Sequence, residues 1–415
     1  MTAFFIMVSV FFWLLLAYYS LLTLAGIVYR GEKRHHQTLA SYPSVSVLIP
    51  AYNEGIVLAK TLDSMLKLEY PGELTIYVLN DNSADNTGEI AQFYADAFPH
   101  IKHIIVPPGT PKGKSRVLNY GLSISQSEYF AVYDADNQPE PDALRLLVEH
   151  AVTTPKAVGS VGYVKTANEQ TNMLTRMVSL EFQVFQLLMQ AGRWKLFKLG
   201  SLTGTNMLVA REAIHRVGGY DPYALAEDAD LTLTLTAIGG LLPIVPESVT
   251  WEQEPETFSV WLRQRTRWSQ GNIYILAKAL RERSWLRSRT LIHILQQFLI
   301  YLGFAGLLVA SDTWLILGLL DIVNEHYKAP LLLLWFQSYI VYLMQLLSAQ
   351  TIDKRLSPPN VLVAVIMYCT YAQLFLITLV RGAYSYFIYS RSNSCPVWEK
   401  TIRFNSREQR NRNMT

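Results

Sequence analysis

Apolar residues in this chain gather into runs. Residues 3–28, 291–310, 330–349 and 360–380 are each close to the roughly 20 residues that a helix needs to cross hydrocarbon. Between the first run and the rest lies a polar block, residues 44–285, long enough for one sizeable domain. Inside it, residues 45–50, 74–80 and 129–134 are short β-rich runs without helical period. Residues 56–67 and 143–151 instead place apolar positions at helical spacing. Strand alternating with helix predicts an α/β domain on a mostly parallel sheet. Two later stretches, about 174–198 and 256–284, mix apolar with basic and aromatic residues at helical spacing. Such helices suit either a membrane surface or the face of the sheet.

The apolar runs predict an integral membrane protein. No basic segment precedes the first run, no small-residue cleavage site ends it, and Arg30, Lys33 and Arg34 follow it. A retained anchor is therefore expected, with its N-terminus outside and those cations in the cytoplasm. The tail carries Arg391, Lys400, Arg403, Arg407, Arg410 and Arg412 and is expected on the cytoplasmic side as well. Three crossings after the polar block would leave it outside. The short apolar stretch 314–323, after the polar pair Ser311-Asp312, is expected to complete a fourth, five in all. The chain then divides into an anchor (1–30), a domain with interface helices (44–285), a transmembrane region (290–385) and a basic tail (386–415).

Composition narrows the class. The 415 residues are 50% hydrophobic and 17% charged, where soluble domains carry about 25% charge. A net charge of +3 without a basic stripe excludes a nucleic-acid partner. Cys369 lies in an apolar run and Cys395 in the tail, so neither implies a disulfide or a metal site. Of the histidines only His35 and His36 adjoin, in the basic cluster beside the anchor.

Ligands of open α/β sheets bind beyond the carboxyl ends of the strands. The three strands run into Tyr52-Asn53-Glu54, into Asn80-Asp81-Asn82-Ser83 and into Asp134-Ala135-Asp136. One acidic loop is ordinary helix capping; three after successive strands form an edge where a nucleotide could sit. Two carboxylates one residue apart suit a hard divalent cation bridging to a diphosphate. Lys112-Gly113-Lys114 precedes a helical stretch, 116–124, and reads either as a phosphate contact or as a solvated loop. Glu227-Asp228-Ala229-Asp230 stands before the helical stretch 231–237. Capping accounts for one carboxylate there, but three in four residues raise a pKa and supply a candidate general base. Gln264-Arg265-Thr266-Arg267-Trp268 places guanidinium forks for phosphate beside an indole for a sugar face. Such a helix is also common as membrane-edge decoration.

In this order the residues resemble the family 2 glycosyltransferases over about 44–275, and among them the processive membrane polysaccharide synthases. The likeness is greatest to poly-N-acetylglucosamine synthases, with hyaluronan, chitin and cellulose synthases behind. The tail segment Val397-Trp398-Glu399-Lys400-Thr401 is similar to that group too.

The resemblance implies a GT-A-type, Rossmann-like domain between transmembrane helices. By it Tyr52, Glu54 and Asp81 hold uridine, Lys114 faces the diphosphate, and Lys112 helps. Asp134 touches the ribose and phosphate side, Asp136 binds Mg²⁺ or Mn²⁺, and Thr203 and Gly204 line the acceptor pocket. Asp228, beside Glu227, is the implied base. Gln264, Arg267 and Trp268 position the acceptor end and leaving group, with Arg265 an extra phosphate contact. Asn80 departs from the family's usual aspartate, and the turn before Asn206 lacks the aromatic-Cys-Gly-Ser form of cellulose synthases.

The implied partners are a UDP-sugar donor, a growing polysaccharide acceptor and the lipid bilayer of a bacterial cell membrane. No built-in regulatory domain is expected after the last span, so regulation would come from a small accessory membrane subunit. Gln296, Gln297, Trp335, Tyr339, Tyr342, Gln345 and Gln373 are candidates to line a polymer channel or to bind helix to helix. A short glycolipid product, a synthase using UDP-glucose or UDP-glucuronate, and a merely nucleotide-binding scaffold remain alternatives.

Overall fold

The computed structural model describes residues 2–32, 38–282, 289–320, 328–392 and 403. The leading apolar run forms one helix, α1 (Thr2–Gly31). The polar block opens with β1 (Val45–Ala51), α2 (Leu58–Met65), β2 (Leu74–Asn80), α3 (Thr87–Ala97), β3 (Ile101–Ile105), α4 (Lys114–Ile124) and β4 (Tyr129–Val132). β1 pairs in parallel with β2 and β4, and β2 in parallel with β3. Val45, Val47, Leu48 and Ile49 are all fully buried. A strand covered by helices on both faces needs a continuous apolar run.

The second half follows a different rule. β5 (Gln138–Pro139), α5 (Ala143–Thr153) and β6 (Gly159–Thr166) lead into α6 (Met173–Gln183), which continues through a π-helical segment (Val184–Gln190) into α7 (Ala191–Phe197). β7 (Met207–Ala210), α8 (Arg211–Arg216), α9 (Glu227–Ala237) and β8 (Ile244–Glu252) complete it. The sheet order is β3-β2-β1-β4-β7-β6-β8-β5. β7 runs antiparallel to β4 and β6, and β5 antiparallel to β8. β6 and β8 pair in parallel, so the sheet expected to be mostly parallel is a mixed one in which β7 and β5 run against their neighbours. β7, four residues long, is too short to betray its direction through periodicity. Leu58, Leu62, Leu144 and Leu147 cover one face of the sheet. Leu118, Leu122, Leu231 and Leu235 cover the other.

After the sheet come α10 (Phe258–Arg281), α11 (Arg289–Phe298), a π-helical segment (Leu299–Phe304) and α12 (Ala305–Leu319). α13 (Lys328–Ile352) is followed by α14 (Pro358–Met367) and α15 (Tyr371–Ser392), which meet at a 51° bend. Among the described residues, Ile6–Gly31 and Leu332–Ile352 are long and apolar enough to cross a membrane, and the bent pair is a third candidate if it forms one span. The break expected at Ser311-Asp312 is absent, because α12 runs unbroken through both. Stretches 291–310 and 314–323 therefore share one helical course and are not two crossings; 321–323 lie outside the described residues. Asp312 accepts a hydrogen bond from Trp335 Nε1 on α13 at 3.0 Å, so helix packing satisfies the polar group that looked like a turn.

The first amphipathic stretch lies between the sheet and the apolar helices, and α10 of the second packs on α15, α11 and α9. A Cβ on Gly192 of α7 would stand 2.1 Å from the Leu22 carbonyl oxygen of α1, so only glycine lets these helices cross. Tyr29 Oη donates to the Ile244 carbonyl at 2.7 Å and Arg30 pairs with Glu247 at 3.2 Å, fastening α1 to β8. The residues Lys33, Arg34, His35, His36 and Cys395, and the tail segment Val397 to Thr401, lie outside the described residues.

Candidate active site

The parallel strands end at one edge, and their loops tie to one another there. Asn53 and Asn82 both adopt left-handed backbone (φ 55° and 56°), which asparagine tolerates better than most residues. The Asn53 N–H donates to Ser83 Oγ at 3.0 Å, and the Ala84 N–H donates to Asn53 Oδ1 at 2.7 Å. Asn80 Oδ1 accepts the Ser83 N–H at 2.9 Å, so the amide found in place of the family's aspartate holds the turn. Tyr52, Glu54 and Asp81 thereby line a cavity of about 580 Å³. Asp81 is paired with Arg116 on α4, a partner that sequence reasoning passed over as part of a helical stretch.

Lys114 opens α4 behind Gly113, whose φ of 144° favours glycine. Its Nζ donates to Asp134 Oδ1 at 2.5 Å and to the Gly204 carbonyl at 2.8 Å, and stands 3.6 Å from Glu227 Oε1. Burial alone would lower its pKa, but Asp134 and Glu227 outweigh it and keep the ammonium charged. Lys112 does not share this position: it is exposed and stands apart from the cavity lining, so its expected helper role has no geometric basis here.

Asp136 is 3% exposed. Its Oδ1 accepts a hydrogen bond from Arg403 Nη2 at 2.9 Å, and Arg403 Nη1, which donates to the Gln253 carbonyl, stands 2.9 Å from Oδ2. Arg403 was expected only as one of the cations of a cytoplasmic tail; its side chain lines the cavity. The neighbouring tail motif was the available signal, and the reading stopped two residues short of it. Asp134 and Asp136 offer hard oxygen donors that fit a divalent cation, and a guanidinium already stands on Asp136. Among the described residues no three His, Cys, Asp or Glu side chains gather to enclose an ion, so further ligands would come from a bound phosphate or water.

Glu227 and Asp228 stand inside the first turn of α9, one turn earlier than the sequence pattern placed the helix. Carboxylates are favoured there by the helix dipole. Gly204 has φ 81°, and a Cβ on it would lie 3.5 Å from Asp228 Oδ2 and 3.6 Å from Lys114 Nζ. The Thr203-Gly204 turn therefore presents bare backbone to both groups. Burial, reinforced by Glu227, pushes the Asp228 pKa up to about 7. Glu252 also lines the cavity, and burial with Asp136 holds its carboxyl well above the usual range. No motif marked it, because it stands at a strand end that periodicity did not resolve.

In α10, Gln264, Arg265, Arg267 and Trp268 all touch the cavity. Arg265 is 1% exposed and pairs with Glu181 at 2.7 Å. It also donates to Gln264 Oε1 at 2.9 Å and lies 4.0 Å over the Trp268 ring. That corrects the phosphate contact expected of it: its charge is spent on Glu181 and it buttresses the indole. Arg267 faces Glu227, Asp134 and Asp228 without an ion pair to any of them, and burial lowers its pKa. Phe182 stacks against Trp268 at 6.3 Å between ring centroids.

Of the candidate channel residues, Gln296 and Gln297 on α11 line this same cavity. The others bind helix to helix. Gln345 donates to Thr23 Oγ1 at 3.1 Å, Tyr339 to the Val365 carbonyl at 3.2 Å, and Trp335 to Asp312. Gln373 reaches the Tyr368 carbonyl at 3.5 Å, and Tyr342 packs on the Tyr368 ring.

Comparison with known proteins matches residues 43–271 to the family described as "Glycosyltransferase like family 2". The chain is 34% identical to the "Probable glycosyltransferase YdaM" of Bacillus subtilis, over 97% of this chain and 98% of that one. It is 31% identical to the β-monoglucosyldiacylglycerol synthase of Trichormus variabilis, over 59% of this chain and 53% of the relative. The poly-β-1,6-N-acetyl-D-glucosamine synthase of Staphylococcus epidermidis is 28% identical, over 59% and 58%. The chain thus spans little more than half the length of these last two. A solved mannosyltransferase from Pyrobaculum calidifontis, in complex with GDP-mannose and Mn²⁺, shares the fold at TM-score 0.56 and 18% identity, over 92% of this chain and 99% of that one. The mixed sheet is accordingly GT-A-like, and by the family match and the full-length relative this chain belongs to the family 2 glycosyltransferases.

Proposed function

We propose that this glycosyltransferase is an inverting enzyme held in a bacterial cell membrane by several crossings, with its catalytic face in the cytoplasm. It transfers N-acetylglucosamine from UDP to the end of a growing β-linked chain and repeats the step processively, feeding an exopolysaccharide outward. The anchor (1–30), the transferase domain (44–285), the transmembrane region (290–385) and the basic tail (386–415) divide this work. One observation carries the reading: a carboxyl of raised pKa, Asp228, faces the bare Gly204 turn in a cavity running from the nucleotide loops past Trp268 to Gln296 and Gln297.

Asp228 takes the proton of the acceptor hydroxyl as its oxygen attacks the anomeric carbon. The bond to UDP breaks on the opposite face, its electrons leave with the diphosphate, and the configuration inverts. Tyr52, Glu54 and Asp81 hold the uridine side, and Lys114 and Arg267 meet the diphosphate. Gln264 and Trp268 seat the acceptor sugar. Mg²⁺ or Mn²⁺ on Asp134 and Asp136 would supply charge neutralisation for the leaving diphosphate.

A short glycolipid product is the second reading, favoured by the 31% identity to β-monoglucosyldiacylglycerol synthases. Incubating purified protein with a panel of UDP-sugars and Mn²⁺, then sizing and digesting the product with linkage-specific hydrolases, separates them. A long β-linked polymer from UDP-N-acetylglucosamine is expected. A product of one or two sugars on lipid rejects processivity.

A further inference from the structure

One end of the cavity holds buried polar groups that neither the donor nor the reacting centre uses. Arg193 on α7 is 9% exposed and His293 on α11 is 4% exposed, and both line the cavity. An Arg193 Nη donates to His293 Nδ1 at 2.6 Å. A guanidinium has no acceptor, so Nδ1 accepts and the ring proton sits on Nε2. That Nε2 and the Arg193 Nε are both buried donors without a partner among the described residues. No carboxylate among them pairs with Arg193; the ionisable groups beside it are His293 and the neutral phenols of Tyr18 and Tyr19 on α1.

The surroundings of this cation point to its missing partner. Gly192, its neighbour, presses on the α1 backbone at Leu22. Tyr18 and Tyr19 belong to the apolar span Ile6–Gly31. A buried cation beside such a span is costly and as a rule serves a ligand or a partner charge. A guanidinium fork matches a phosphate bidentately, and the His293 donor adds a further bond. Gln297 Oε1, buried and without a partner among the described residues, suits a headgroup hydroxyl. Phe185 and Met189 give the same end an apolar wall, and Thr232 and Leu233 lead back along α9 towards Asp228.

We propose that Arg193, His293 and Gln297 bind the phosphate-bearing headgroup of an anionic membrane lipid, at the bilayer end of the cavity whose other end holds the reacting groups. The site stands whether the product is long or short, and it is independent of the sugar transferred.

The test titrates the full chain, purified in neutral detergent, with phosphatidylglycerol, with diacylglycerol of the same acyl chains, and with inorganic phosphate; native mass spectrometry reads lipid occupancy. Phosphatidylglycerol binds about tenfold tighter than diacylglycerol, inorganic phosphate fails to displace it, and Arg193→Met lowers its affinity about tenfold while UDP affinity stays unchanged. Equal affinity in wild type and Arg193→Met overturns the proposal, and so does equal affinity for the two lipids. Displacement by inorganic phosphate alone overturns the lipid source. UDP binding reports that Arg193→Met is folded; if it is lost, His293→Leu takes the same reading, with the same outcomes on either side.

Discussion

The proposed donor half and the proposed reacting half of the cavity differ in how their carboxylates are paired. On the donor side three acids are matched to a cation of the same chain: Asp81 to Arg116, Asp134 to Lys114, Asp136 to Arg403. On the reacting side Asp228 makes no ion pair among the described residues; burial and Glu227 outweigh the Ala229 N–H and Lys114, and its pKa rises to about 7. The acids proposed to bind each have a cation against them, whereas the proposed base has none and is left with a reason to take a proton.

Removing the exception should have the largest effect. Asp228→Asn is expected to lower UDP release in the presence of acceptor by about 10²–10⁴-fold while UDP binding, measured by calorimetry, is retained. Full turnover in that variant would break the comparison. In the wild type, activity should rise with pH through about 7 as Asp228 ionises, and this acid limb should vanish in Asp228→Asn. Stability moves the other way. A carboxyl whose pKa rises on folding keeps its proton in the folded state longer than in the unfolded chain, so its contribution is lost as pH increases through about 7.

Next in size is Glu181→Gln. It strands Arg265 as a buried unpaired cation and should cost about 3 kcal/mol in denaturant unfolding. UDP affinity should hold, because the structure gives Arg265 to Glu181 and not to phosphate. A loss of UDP affinity with unchanged stability would reverse that assignment. Arg403→Gln should lower the Mn²⁺ concentration for half-maximal UDP binding by about tenfold, because a guanidinium no longer competes for Asp136. An unchanged Mn²⁺ requirement would mean that the ion and Arg403 do not share the carboxylate. Smallest is Gly204→Ala, which forces a Cβ into left-handed backbone at a cost of about 1 kcal/mol. Lower acceptor turnover at constant UDP affinity is expected in steady-state kinetics.

Much of the donor half was legible along the chain. β1 and β2 are continuous apolar runs that end in polar turns, and a parallel strand buried on both faces leaves that trace without help from distant residues. Asp228 stood out because its neighbours in sequence are also its neighbours in space. The second half of the sheet was not legible. β7 is four residues long and its antiparallel direction depends on partners that arrive from elsewhere in the chain.

The sequence by itself determined the residues of the nucleotide edge, the candidate base and the presence of membrane-length apolar runs, since each is a local pattern of side-chain chemistry. Only the tertiary structure decided how the charges are matched. Arg403 reaches Asp136 across 267 positions, Arg265 turns to Glu181 across 84, and Arg193 meets His293 across 100. An ion pair depends on distance and burial in space, and neither quantity has a signature at such separations along the chain. The same reason moved Ser311-Asp312 from a turn to the middle of a helix: Trp335, far off in sequence, satisfies the carboxylate that had looked like a break.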